Sequence, residues 1–173
     1  MLLPCGCPSD YPDWHQREVD LGGTCVHVLG IPTLIHMPLA YEAYLKRQQR
    51  EVFELGLQEK WPGLVLTRTG FVRGSITRLL DAGESPAHRV TYLPRPFHVR
   101  GTLHKGDVGT IRNAVRESQA TLFDTGKKPR ELYLCYLTCP TCQDERGGAK
   151  ILLLRRFEES ARLARAVSKQ PRQ

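Results

Sequence analysis

From residue 97 the chain alternates. Phe97, Val99, Gly101 and Leu103 share one side of an extended segment, and His98, Arg100, Thr102 and His104 share the other. Such a strand offers an apolar side to a core and keeps a polar side that is wet or ligand-facing. The period then changes: Val108, Ile111, Val115, Ser118 and Leu122 recur at helical spacing, and Gly126 and Pro129 stop the helix. Two apolar stretches follow, 131–137 and 149–156, joined by a loop from Cys139 to Gly148, which predicts a hairpin. The first half has the same order. A strand ends at Leu34-Ile35-His36, and Tyr41, Tyr44, Leu45, Val52 and Leu55 make one helix face, with Gly56 at its stop. Lys46, Arg47, Gln49, Arg50 and Glu54 mostly face water. Residues 64–69 and 75–80 pair through the turn Gly70-Phe71-Val72-Arg73-Gly74.

The two halves keep a common register. His36 falls on His104 at an offset of 68, and the same offset lays Leu64-Val65-Leu66-Thr67 on Leu132-Tyr133-Leu134-Cys135. The fold this predicts is α+β: two β-α-β-β repeats, about 24–80 and 97–156, forming one antiparallel sheet with both long helices on one face. Residues 81–96, with Gly83, Pro86, Pro94 and Pro96, read as the connector. A short basic C-terminal helix is expected over about 157–169, with Leu163 and Val167 able to dock.

Composition narrows the class. At 173 residues, 40% hydrophobic and 25% charged, the chain is one globular domain. No apolar run approaches the roughly 18 residues that cross a bilayer, and Met1-Leu2-Leu3-Pro4-Cys5 lacks a basic, apolar leader. A cytoplasmic protein with no membrane partner is expected. The net charge is +7, but residues 155–173 hold six basic residues against two acidic, a balance of +4 in one segment. A solvated basic helix explains that excess, and a phosphate-binding surface competes with it.

Cysteine spacing carries the sharpest chemistry. Cys5-Gly6-Cys7 and Cys139-Pro140-Thr141-Cys142 are C-x-C and C-x-x-C pairs, and zinc takes four thiolates in a closed tetrahedron. The second hairpin is about seven residues longer than the first, and its extension contains the C-x-x-C. A structural zinc ion on Cys5, Cys7, Cys139 and Cys142 would tie the N-terminal segment to that loop. Free surface thiols and a redox or metal-sensing cluster are the competing readings. Cys25 and Cys135 fall in strands and read as buried small hydrophobes.

The stretch Leu103-His104-Lys105-Gly106-Asp107-Val108-Gly109-Thr110-Ile111, followed after the helix by Pro129-Arg130-Glu131-Leu132-Tyr133-Leu134, resembles the second half of GyrI-like small-molecule-binding domains. The resemblance implies a pocket between the repeats, lined by aromatic residues and a carboxylate that meets cationic or polar ligands. Glu131 matches that carboxylate, and Tyr133, Tyr41 and Tyr44 are the aromatics expected beside it, with His104 nearby. The alternative is that Glu131 opens an edge strand and the tyrosines are core. The chain departs from the family pattern in its last strand, 149–156, which lacks the Glu and the Pro-ended aromatic run. The cysteine pairs lie outside that pattern as well, and no helix-turn-helix precedes the domain, so a stand-alone module is expected.

Three functions follow from these residues: binding of a small organic ligand, cationic ones included; hydrolysis, with Glu131 and Tyr133 or His104 as general base and partner; and a zinc-stabilised nucleic-acid or protein adaptor. No nucleophile elbow, no His-Glu-x-x-His and no Gly-rich phosphate loop supports catalysis. Binding is the favoured reading.

Overall fold

Alternation along ten-residue strands decides which side chains meet the helices. The structure is a computed structural model describing residues 2–81, 85 and 87–169. In chain order the elements are β1 (Glu18–Asp20), β2 (Cys25–Leu34), β3 (Met37–Pro38), α1 (Tyr41–Glu54), β4 (Val65–Arg68), β5 (Arg73–Leu79), β6 (Val90–Tyr92), β7 (His98–Lys105), α2 (Arg112–Asp124), β8 (Lys127–Tyr136), β9 (Lys150–Glu159) and α3 (Ala161–Ser168). The nine strands among the described residues form one antiparallel sheet in the order β1-β7-β9-β8-β4-β5-β2-β3, with β6 also on β2. Each half is β-α-β-β. The halves meet where Thr67 of β4 pairs with Leu134 of β8.

Both long helices cover one face. Tyr41, Tyr44 and Leu45 of α1 pack on Leu29, Ile31, Val65 and Ile76, and Val52 is buried with Cys25 and Leu80. Under α2, Leu122, Ile151 and Leu153 are buried. The alternate residues build a second core on the opposite face, including Val26, Leu64, Leu66, Cys135, Leu152 and Leu154, and against it pack Tyr11, Trp14, Trp61 and Tyr133. A segment from the N-terminus therefore crosses the sheet where the two repeats present their non-helical side. The N-termini of α1 and α2 lack side-chain caps, and positive-φ glycines follow their C-termini, Gly56 at 66° and Gly126 at 74°.

Several expectations change. Val108 precedes α2 and is exposed, and Pro129 sits within β8, so Gly126 is the stop. The polar row of β7 faces α2: His98 stacks on Phe157, Arg100 reaches Glu18 and His104 bonds Thr110. His36 and His104 are not equivalent. Propagating the Thr67–Leu134 pairing through the registers matches Arg78 with Arg155, His27 with Arg100, and Ile31 with His104. His36 instead lies beyond β2, in the turn to β3, at φ 63°. The connector adds β6 to the sheet, and Gly83 and Pro86 lie outside the described residues. Residues 155–159 belong to β9, so the terminal helix is only Ala161–Ser168. Ser160 caps it by accepting from the Leu163 N–H, and Leu163 and Val167 are half-buried.

Candidate ligand face and metal centre

The two cysteine pairs come together. The Sγ atoms of Cys5, Cys7, Cys139 and Cys142 lie within 4.8 Å of one another, and Cys139 and Cys142 are 3.9 Å apart. Tetrahedral bonds of 2.3 Å to zinc set thiolates about 3.8 Å apart. Cys142 is buried and Cys5 the most exposed of the four. Each pair has its own turn. Gly6 at φ 84° lets Cys5 and Cys7 face one way, while the Leu3 N–H donates to the Cys7 carbonyl at 2.9 Å. In the second pair the Cys142 and Gln143 N–H groups donate to the Cys139 carbonyl, and the Cys139 N–H points at Cys142 Sγ, 3.4 Å away. Burial and bonds to Cys139, Cys5 and Cys142 push the Cys7 thiol up. At Cys139 desolvation also acts upward, but it is outweighed by bonds from the backbone N–H groups of Cys142 and Thr141, the Thr141 side chain and Cys7, leaving the thiol at about 6. The other two cysteines, Cys25 and Cys135, are buried as strand residues.

From that cluster the N-terminal segment runs across the sheet as a strap. Arg146 Nη1 donates to the carbonyls of Pro8 and Leu137, locking the start of the strap to the β8–β9 loop. Trp14 meets Trp61 edge-on at 6.5 Å. The Gln16 N–H donates to the Gly101 carbonyl and the Gly101 N–H to the Arg17 carbonyl, both at 2.9 Å, and the Leu103 N–H donates to His15 Nδ1 at 3.0 Å. A Cβ at residue 101 would collide with the Trp14 carbonyl oxygen, so the crossing requires glycine there. The segment then becomes β1 on the edge of β7.

Beside the strap, on the same face, stand Glu131 and Tyr133. Glu131 accepts from Arg156 Nη1 at 3.1 Å. The Arg156 guanidinium lies 4.9 Å over the Phe97 ring, and Phe97 meets Tyr133 at 6.2 Å. Arg156 has a second carboxylate, Glu158, at 3.6 Å, which also binds Arg130. Glu131 and Arg156 keep 34% and 22% of their side-chain surface open to solvent. Burial, then the nearby Glu131 charge, pushes the Tyr133 phenol up.

The remaining expected residues lie elsewhere. Tyr41 and Tyr44 are on the helix face, where the Tyr41 hydroxyl bonds Thr67 Oγ1 at 2.5 Å and its ring meets Tyr136. Burial, partly offset by Thr67, pushes the Tyr41 phenol up. His104 also faces the helices, its Nε2 3.0 Å from Thr110 Oγ1, several pairs along the sheet from Glu131. The sheet separates these three side chains from the Glu131–Tyr133 side. The first helix supplies no aromatic there; Trp14, Tyr11 and Trp61 do.

Sequence reasoning missed a buried polar network under α1. Gln48, fully buried, donates through Nε2 to the carbonyls of His27 and Ile76, each at 3.0 Å, and accepts from Arg78 Nε at 3.1 Å. Arg78 Nη1 also grips both Glu59 carboxylate oxygens, at 2.7 and 2.8 Å. His27 Nε2 lies 3.3 Å from Glu51. Because both Gln48 amide hydrogens are engaged by carbonyls, a proton on His27 Nδ1 would point at an amide nitrogen 3.3 Å away. His27 Nε2 finds no hydrogen-bond partner among the described residues despite Glu51 at 3.3 Å, and burial holds the imidazole pKa below its usual value. The signal in the sequence was Gln48 itself, one turn before Val52 on the apolar stripe.

No family model matches the sequence, and no curated protein matches it either. Among solved structures, the crystal structure of the EcmrR C-terminal domain matches 83% of this chain and 96% of its own, with a TM-score of 0.61 and 12% identity. The cryo-EM structure of an EcmrR–DNA complex matches 83% of this chain and 57% of its own, with a TM-score of 0.58 and 12% identity. At that identity the likeness is one of fold, and the fold is GyrI-like.

Proposed function

We propose that this chain is a small-molecule-binding protein of GyrI-like type, with its ligand face on the strap side of the sheet and a structural zinc ion on Cys5, Cys7, Cys139 and Cys142. The observation that carries the binding reading is the Glu131–Arg156 pair, with the Arg156 guanidinium over the Phe97 ring and Phe97 against Tyr133. A cationic aromatic ligand would take the Glu131 carboxylate and stack beside the half-buried Tyr133 ring. Arg156 would then fall back on Glu158, so exchange of partners leaves no buried cation unpaired. Trp14 and Tyr11 supply the neighbouring wall. The zinc ion fixes that wall, because one thiol pair sits at the start of the strap and the other on the hairpin beneath it.

Fluorescence titration with ethidium, an aromatic cation, and anilinonaphthalene sulfonate, an aromatic anion, tests the binding reading. Ethidium should bind more tightly and lose affinity in Glu131→Gln, while Tyr44→Ala on the other face leaves it unchanged. Equal loss in both variants, or loss in neither, removes Glu131 from the site. Metal analysis of the purified chain should find one zinc per chain.

A further inference from the structure

We propose that the tip formed by the β2–β3 turn and the β4–β5 turn docks this protein on an anionic lipid surface. Six large apolar side chains gather there: Leu34, Ile35, Met37, Leu39, Phe71 and Val72 are each between 47% and 70% exposed. Single exposed apolar residues are ordinary, but a contiguous cluster of this kind marks an interaction surface.

The tip is braced. The Thr33 and Ile35 N–H groups donate to the carbonyls of Val72 and Phe71, Thr33 Oγ1 donates to the Gly70 carbonyl at 2.7 Å, and His36 meets Phe71 edge-on. Ile35, His36 and Ala40 hold φ of 48°, 63° and 50°. A β-branched residue in the left-handed region is rare, and such strain persists where surrounding structure imposes it, often at ligand-contacting sites. These contacts hold Ile35 with most of its surface in water.

Charge selects the occupant. Residues 21–41 and 60–80 contain no Asp or Glu, and exposed Arg68 and Arg73 beside the turn outnumber the adjoining carboxylate, Glu42 in the first turn of α1. Because β4 runs antiparallel to β8, the tip lies at the Glu131 end of the sheet, but Glu131 is held by Arg156. Two copies meeting tip to tip across a two-fold axis would bring like charges together. Two convex loops with apolar ends and basic shoulders match the headgroup–acyl boundary, where apolar groups bury about 5–10 Å deep while basic residues meet anionic headgroups. The absence of a spanning run speaks only to crossing a membrane.

The test is co-sedimentation of the full chain with phosphatidylcholine vesicles, with and without phosphatidylglycerol. Binding is expected to the anionic vesicles and to weaken with salt. Phe71→Ser and Ile35→Asn should each weaken it about tenfold with little change in Tm, since both side chains are 64% exposed in the free protein and Asn tolerates the positive φ. Arg73→Gln should cost about fivefold. Lys105→Gln, the same charge change at the opposite end of the sheet, should stay within about twofold. In Phe71→Trp the introduced indole should shift its emission to the blue on binding. Absence of binding at low salt overturns the proposal, as does binding that Phe71→Ser and Ile35→Asn leave intact. Binding to an acidic amphipathic peptide without binding to vesicles also overturns it and reassigns the tip to a protein partner.

Discussion

Gly101→Ala places a methyl group against the backbone of Trp14, and backbone cannot rotate aside as a flexible side chain can. The strap must lift from β7, losing the Gln16–Gly101, Arg17–Gly101 and His15–Leu103 hydrogen bonds. Three bonds at a net of about 1 kcal/mol each give about 3 kcal/mol. Replacing glycine stabilises by about 0.4–1 kcal/mol through the unfolded chain, so the net cost is about 2 kcal/mol. For a chain of this length that lowers Tm by roughly 4–8 °C. Gly30→Ala is the internal control: it lies on the same side of the sheet in β2, where an added Cβ meets nothing within 4 Å, and should be neutral or slightly stabilising. Urea unfolding followed by tryptophan emission reports both variants. If Gly101→Ala proves as stable as Gly30→Ala, the strap does not press on β7 as described.

Three further predictions follow from the buried groups and the thiols. Glu59→Gln leaves Arg78, 4% exposed, without its carboxylate and should destabilise by about 3–5 kcal/mol in urea unfolding; a change under about 1 kcal/mol would mean that Gln48 alone satisfies the guanidinium. His27 has a folded pKa below its ordinary 6.5, so its contribution is present above pH 6.5 and is lost as pH falls below it, while the unfolded chain takes up the proton first. The urea midpoint should therefore fall between pH 7.5 and 5.5 (about one unit either side of an ordinary imidazole) more steeply in wild type than in His27→Gln, and parallel slopes would show that His27 does not titrate differently on folding. Cys142→Ser should abolish zinc stoichiometry and expose Trp14, seen as a red shift in emission and faster proteolysis of the strap; retention of one zinc per chain would exclude the four-thiolate site.

Periodicity was enough to place α1, α2 and their strands, because an amphipathic stripe records the spacing of its own element. It does not record what covers the other side. The alternation at 97–104 was visible, but whether Phe97 or His98 faced the ligand depended on the strap, whose residues 2–17 have no period and are fixed by Gly101 and the thiols. Tyr41 and Tyr44 were placed near Glu131 for the same reason: their helix stripe was legible and the intervening sheet was not. The two thiol pairs were legible across more than a hundred residues because metal chemistry constrains local spacing within each pair. The offset of 68 failed in the strands and at the histidines. The pairing of β4 with β8 sets Thr67 against Leu134, one residue from Cys135, whose side chain lies on the opposite face, and the true match of His104 is Ile31, because His36 lies in the turn after β2. Gln48 was overlooked because a polar residue on an apolar stripe reads as a defect until its carbonyl and guanidinium partners are seen.

Isothermal titration of ethidium into wild type and Glu131→Gln tests the central claim most directly. Glu131 is one-third exposed, so the lower end of the range for a hydrogen bond to a charged group applies, about 1.5 kcal/mol, or roughly tenfold in Kd. The account predicts that loss with an unchanged unfolding midpoint, because Arg156 retains Glu158. Identical affinity in the two proteins, or binding that persists in Glu131→Gln and disappears instead in Tyr44→Ala, would contradict it and move the ligand to the helix face.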